Sequence, residues 1–152
     1  MIRITFRNMI DAEVQVCFDM ARNIDLHLES MHDSHETAIR GKTSGLIALG
    51  ETVTWRARHL GLWFEMTSKI TAMQAPGYFR DEMQDGPFAR FSHAHLFQAA
   101  GKKTLMTDII EITAPLGFAG RLAERLFLAP YLTRLLKTRN TCISAAAESA
   151  RH

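Results

Sequence analysis

Two runs decide the fold: Phe91-Ser92-His93-Ala94-His95-Leu96-Phe97 and, past Ala100-Gly101, Met106-Thr107-Asp108-Ile109-Ile110-Glu111-Ile112. Phe91, His93, His95 and Phe97 recur at every second residue, as do Met106, Asp108, Ile110 and Ile112 against Thr107 and Glu111. Side chains alternate faces along a strand, so the pattern predicts two strands, about 89–99 and 104–113, joined as a hairpin at Ala100-Gly101. Upstream the same period of two predicts strands at about 37–43, 52–59, 62–72 and 78–83. Turn residues separate them: Gly45 to Gly50, Leu60-Gly61, Ala75-Pro76-Gly77 and Asp85-Gly86-Pro87. Residues 2–7 also alternate. Asp11 then stands as an N-cap before the helical stripe Val14, Phe18 and Ala21, and residues 24–36 read as a second short helix or a loop. Downstream of Pro115-Leu116-Gly117 the period becomes 3.6, with Leu122, Leu126, Leu132, Leu135 and Leu136 apolar to about Asn140. Pro130 is expected to kink that helix. One domain over residues 1–143 and a frayed tail over 144–152 complete the reading.

Composition limits the function. A chain of 152 residues, 47% apolar and 22% charged, is one globular domain rather than a disordered or fibrous chain. The formal net charge is +2 with both signs interspersed, which is no nucleic-acid footprint. No apolar run approaches the ~18 residues of a spanning helix. Residues 115–152 hold six Arg and Lys, and Arg134, Lys137 and Arg139 are expected to offset the negative pole of the last helix. Cys17 and Cys142 lie far apart without CxxC spacing, and the start is polar and alternating rather than a signal peptide. The expectation is a reduced, cytoplasmic protein. Phosphate-loop, G-x-S-x-G and HExxH signatures are absent, and His27, His32, His35 and His59 read as solvated or turn residues.

A meander of this length has one concave face that the last helix must cover, and a strongly curved sheet around one helix leaves a cavity. Trp55, Met66, Phe79, Met83, Phe91, Phe97, Met106 and Ile110 form its apolar wall, with Leu122 and Leu126 from the helix. Ser68, Asp81, His93, His95 and Asp108 are the polar exceptions on that face. Centring each hairpin on its turn sets Ser68 opposite Asp81, Asp81 opposite His93, and His93 opposite Asp108, in one transverse row. His93 between two carboxylates is expected to carry a proton near neutral pH. The row reads as a register-fixing polar network, a cavity floor that orients a ligand's polar head, an acid–base pair, or a two-His-one-carboxylate metal site.

The run Gly45-Leu46-Ile47 through Gly50-Glu51-Thr52-Val53-Thr54-Trp55-Arg56-Ala57-Arg58-His59 resembles bacterial members of the SRPBCC superfamily. That superfamily includes START lipid-transfer domains, polyketide cyclases and birch-pollen-allergen-like proteins. Phe79-x-Asp81-x-Met83, Gly86-Pro87-Phe88, Phe91-x-His93-x-His95-x-Phe97, and Asp108 before Pro115-x-Gly117 agree with it, over about residues 1–140. The resemblance implies an α+β helix-grip fold: a seven-stranded curved antiparallel sheet around a long C-terminal helix, with two short helices after the first strand. It also implies a small hydrophobic ligand, lipid- or polyketide-like; no cofactor is expected. The superfamily shares no single catalytic residue, so none carries over. A carrier or sensor is the first reading. A cyclase or dehydratase using His93 with Asp81 or Asp108, which a perturbed histidine opening into the cavity would favour, is the second. A protein-binding module is the third. The residues do not fix the oligomeric state.

Overall fold

The computed structural model describes residues 1–150. Strand β1 (Ile2–Ile10) leads into helices α1 (Val14–Ala21) and α2 (Ile24–Ser30) and a 3-10 turn at His32–Ser34. Strands β2 (Thr37–Gly41), β3 (Thr52–His59), β4 (Leu62–Gln74), β5 (Tyr78–Asp85), β6 (Arg90–Ala100) and β7 (Lys103–Thr113) follow. They form one antiparallel sheet of seven strands in the order β1-β7-β6-β5-β4-β3-β2. The polar segment after Ala21 is a helix because the Asn23 side chain accepts a hydrogen bond from the Leu26 N–H at 3.0 Å. Glu13, not Asp11, occupies the cap position of α1.

The chain ends in one long helical run: α3 (Gly117–Ala123), a π turn (Glu124–Leu128) and α4 (Ala129–Ala150). The irregularity expected at Pro130 lies just ahead of it, where the Ala129 N–H reaches back five residues to the Glu124 carbonyl. A wide turn at this point accommodates a proline that has no N–H to offer the preceding turn. Positions 120, 124, 128, 132 and 136, four apart, face the sheet. Gly120 is required there, since a Cβ would collide with the Pro115 carbonyl. Leu122 and Leu126 lie half a turn away and are 53% and 58% exposed, so neither reaches the cavity. The six-residue step from Leu126 to Leu132 is one that no straight helical stripe makes.

Two other expectations are corrected at this end. The frayed tail is helical as far as Ala150, with Ala147 fully buried and the Ser144 hydroxyl accepting from the Asn8 amide at 3.0 Å; residues 151–152 lie outside the described residues. Arg139 does not offset a helix pole but sits in mid-helix, 5% exposed. Among the described residues, no helix is long and apolar enough to cross a membrane.

The concave face divides into a solid half and a hollow half. In the solid half, Phe18 of α1 packs edge-on against Phe79 and Phe97 at 5.6 and 5.7 Å, over Met106, Ile143 and Ala147. Phe97 and Met106, expected in the cavity wall, are filled core because α1 and the end of α4 press onto them. Ala147→Asp places an uncompensated charge in that core. We expect a loss above about 2 kcal/mol in urea titration; a frayed tail would give a change within about 0.5 kcal/mol.

Candidate functional site

The hollow half is a cavity of about 420 Å³ between the sheet and the last helix. Trp55, Met66, Phe79, Phe91 and Ile110 stand in its wall as the sequence predicts, with Leu132, Leu135 and Leu136 facing them from α4. Ser68, Asp81, His93 and His95 face it as well. Met83 does not line it: its thioether lies over Gly86 in the β5–β6 turn. Asp108, fully buried, sits beneath the histidines rather than in the wall.

The polar residues meet at the floor, where hollow and solid halves join. Asp81 faces His93 across β5 and β6, as the turn-centred register predicts. The other two pairings are shifted by two residues. His95, not His93, opposes Asp108, because the β6–β7 turn closes with Ala100 opposite Lys103. Met83, not Asp81, opposes Ser68, because the β4–β5 turn closes with Gln74 opposite Tyr78, centred on Pro76 rather than on Gln74-Ala75. The register shift between Ile70 and Ala72 takes back only one residue of that offset. The residues meet nonetheless. His93 Nε2 lies 2.8 Å from Asp108 Oδ1 along the diagonal, and His95 Nε2 lies 2.8 Å from Asp81 Oδ2. The two imidazoles stack at 3.8 Å, and Phe79 stacks on His95 at 4.0 Å.

The last helix completes the cluster. Asn140 Nδ2 donates to Asp108 Oδ2 at 2.7 Å, and Arg139 Nη1 lies 3.4 Å from Asp108 Oδ1. Arg139 Nη1 also donates to the Asn140 side-chain oxygen at 2.9 Å, and its Nη2 donates to the Ala21 carbonyl at 3.2 Å. Burial alone would raise the Asp108 pKa, but hydrogen bonds from both histidines and the Arg139 charge hold it well below the usual carboxylate range. Asp81 is likewise lowered: its hydrogen bond with His95, backed by nearby positive charge, outweighs the effect of burial.

His93 behaves opposite to expectation. Burial, then the neighbouring His95, push its pKa down to about 4 against the pull of Asp108, so it is neutral at pH 7. Ser68 Oγ is buried without a hydrogen-bond partner. Asp81, His93 and His95 offer ligand atoms within 4.8 Å of one another, the convergence a metal ion needs. Each Nε2, however, is turned to a carboxylate, and the Arg139 guanidinium lies 3.4 Å from His95 Nδ1. That arrangement serves hydrogen bonding.

A second polar group lines the cavity. His59 Nδ1 is 2.6 Å from the Tyr131 hydroxyl, joining β3 to α4, and His27 Nε2 is 3.0 Å from Glu36 Oε1 with its ring 4.4 Å from Trp55. The sequence alone places His27 in solvent and His59 in a turn. The signal for His59 was present, since Val53, Trp55, Ala57 and His59 share one face by alternation. Arg139 could be read in the same way, four residues after Leu135 on the inward stripe.

No protein-family model and no curated protein matches the chain. Solved structures do. A protein of Thermus thermophilus superposes with a TM-score of 0.80 at 11% identity, over 99% of this chain and 100% of that one. The ZhuI aromatase/cyclase from Streptomyces sp. R1128 gives 0.79 at 9% identity over 99% and 96%. A START superfamily protein from Mycobacterium smegmatis gives 0.70 at 9% over 97% and 98%. The chain therefore has the helix-grip fold that START, aromatase/cyclase and latex-like proteins share, which bears out the architecture the resemblance implied.

Two outcomes follow. Asp108→Ala removes the carboxylate from a buried cation and two imidazoles, and we expect it to cost about 3–5 kcal/mol by chemical denaturation. Acid should destabilise the protein in two stages. A His93 pKa depressed to about 4 means the unfolded chain binds the proton first, so stability is lost as pH falls from about 6.5 toward 4, by about 2–3 kcal/mol. His59, lowered by burial, acts in the same direction. Asp81 and Asp108, with depressed values, add a further loss below about pH 4. His93→Gln should flatten most of the slope between pH 4.5 and 6.5; an unchanged slope would show that His93 is not its source.

Proposed function

We propose that the protein binds a small, largely apolar molecule in its internal cavity, as a cytoplasmic carrier or sensor. One observation supports this above the rest: about 420 Å³ of hollow, walled by aromatic, Met and Leu side chains, ends on a compact polar floor. Ligand sites in general have that character, an apolar enclosure with a few convergent polar groups. Trp55, Met66, Phe79, Phe91 and Ile110 would contact the body of the ligand, and Ser68, Asp81, His93 and His95 its polar end. The fold neighbours described as START and aromatase/cyclase proteins agree in kind, without naming a ligand for this chain.

An acid–base enzyme of the cyclase or dehydratase class is the second reading. It is favoured by the perturbed histidine that opens into the cavity, paired with a carboxylate. It ranks second because a base with a pKa of about 4 lies far from the neutral value that suits proton transfer at pH 7.

Nile red, a neutral environment-sensitive dye, should bind the folded protein near 1:1 and be displaced by small apolar molecules. Ala57→Phe fills part of the cavity from β3 and should weaken the dye by about tenfold or more. Binding untouched by this variant would place the dye elsewhere and remove the carrier reading. Conversion of a displacing molecule, seen by mass spectrometry and lost in Asp81→Asn, would favour the enzyme.

A further inference from the structure

We infer that the polar end of the ligand is a neutral hydroxyl or phenol, held by Asp81 and Ser68, and not a carboxylate. This rests on the binding reading above and concerns the same cavity. It follows from asking which polar atoms at the floor remain available once the protein's own hydrogen bonds are assigned.

The cations are taken. Arg139 Nη1 serves Asp108 and Asn140, and its Nη2 serves the Ala21 carbonyl and faces His95 Nδ1. Arg22, also in the cavity wall, donates from Nε and Nη2 to Asp19 and from Nη1 to the Ile47 carbonyl. Neither guanidinium presents a fork to an incoming anion, which is the geometry carboxylate recognition uses.

What remains is mostly acceptor. Asp81 Oδ2 is bonded to His95, while Oδ1 has no protein hydrogen bond among the described residues. His93 turns Nε2 to the Asp108 carboxylate; in the neutral ring that nitrogen carries the proton, which leaves Nδ1 as a bare acceptor. Ser68 is the exception, able to donate or accept. Its Oγ is buried and unpartnered on a residue 4% exposed, in the cavity wall. An orphaned hydroxyl at such a place costs about 1–3 kcal/mol unless something bonds to it.

Asp81 and Ser68 are neighbours. Asp81 opposes Ile70 on β4, and Ser68 lies two residues along the same face. That diagonal separates Cα atoms by roughly 7–8 Å, a gap one oxygen spans with a hydrogen bond to either side. A ligand hydroxyl can donate to Asp81 Oδ1 and accept from Ser68 Oγ, satisfying both. An ether accepts from Ser68 and leaves Asp81 without a donor. A carboxylate brings a second negative charge against Asp81 in a water-poor enclosure, where like charges repel strongly. An organic cation would pair with Asp81 but lose its hydration among apolar walls and face the Arg139 charge.

A matched series isolates the head group: 2-naphthol, 2-methoxynaphthalene, 2-naphthoate and 2-naphthylmethylammonium, each competing with Nile red at pH 7. The expected order is naphthol tightest, the ether about tenfold weaker or more, and naphthoate weakest. Asp81→Asn, which removes the charge and keeps the shape, should bring naphthoate and naphthol to within about threefold of each other. Ser68→Ala should weaken naphthol and the ether alike and leave the naphthoate gap in place. Naphthoate or the ammonium binding as tightly as naphthol would overturn the inference, as would an Asp81→Asn variant that folds and keeps the original order. These results assume that Nile red binds. Absence of binding by every probe and the dye would instead defeat the cavity reading itself, and this head-group preference with it.

Discussion

The carboxylate of Asp108 is the point on which the rest of the molecule depends. It is fully buried on β7 and accepts hydrogen bonds from β6 through His93 at 2.8 Å and from the last helix through Asn140 at 2.7 Å. His95 Nδ1 lies 3.2 Å away, and Arg139, which also bonds the end of α1, lies 3.4 Å away. A buried charge of this kind is tolerated only when every side of it is engaged, so the cluster fixes where the helix crosses the sheet. On one side of that crossing Phe18, Phe97, Met106 and Ile143 close-pack. On the other the helix stands off and the concave face stays hollow. The same contacts that anchor the helix thus furnish the cavity with its polar floor.

This arrangement separates two roles that a row of polar residues can play. Asp108 and Asn140 lie out of reach of a ligand and act on structure. Asp81, His93 and Ser68 face the hollow, and each keeps at least one polar atom that no protein group uses. His95 links the layers, bonded to Asp81 on the cavity side and to Asp108 below. Network and binding floor are therefore parts of one cluster at different depths.

Most of the fold was legible in the sequence because alternation is a strong signal over long strands. The hairpin joint at Leu60-Gly61 fell where the structure has it, whereas the one expected at Ala100-Gly101 lies one residue on, at Gly101-Lys102. Centring the hairpins gave Asp81 opposite His93 correctly, yet missed the other two pairs by two residues each. Neither the closure of the β4–β5 turn at Gln74 and Tyr78 nor that of the next turn at Ala100 and Lys103 leaves a mark in the apolar pattern, and a two-residue slip keeps every side chain on its face. The errors on the helix have a different origin. Grouping Leu122 and Leu126 with Leu132 ignored helical phase, and the inward residue between them, Glu124, is charged and so does not stand out in an apolar stripe. It is buried because it accepts the Ala114 N–H at 2.6 Å and meets the Met1 ammonium at 3.4 Å. The neutrality of His93 was not legible at all, since it depends on depth and on the imidazole stacked against it.

The division of the concave face into solid and hollow halves can be observed directly. Methyl NMR resolves Met66 and Ile110 in the cavity wall from Met106 and Ile112 in the packed interior. On titration with 2-naphthol, the account predicts saturable shifts at Met66 and Ile110 with one common dissociation constant, while Met106 and Ile112 stay in place. Shifts confined to surface methyls, or spread equally over all four residues, would contradict it.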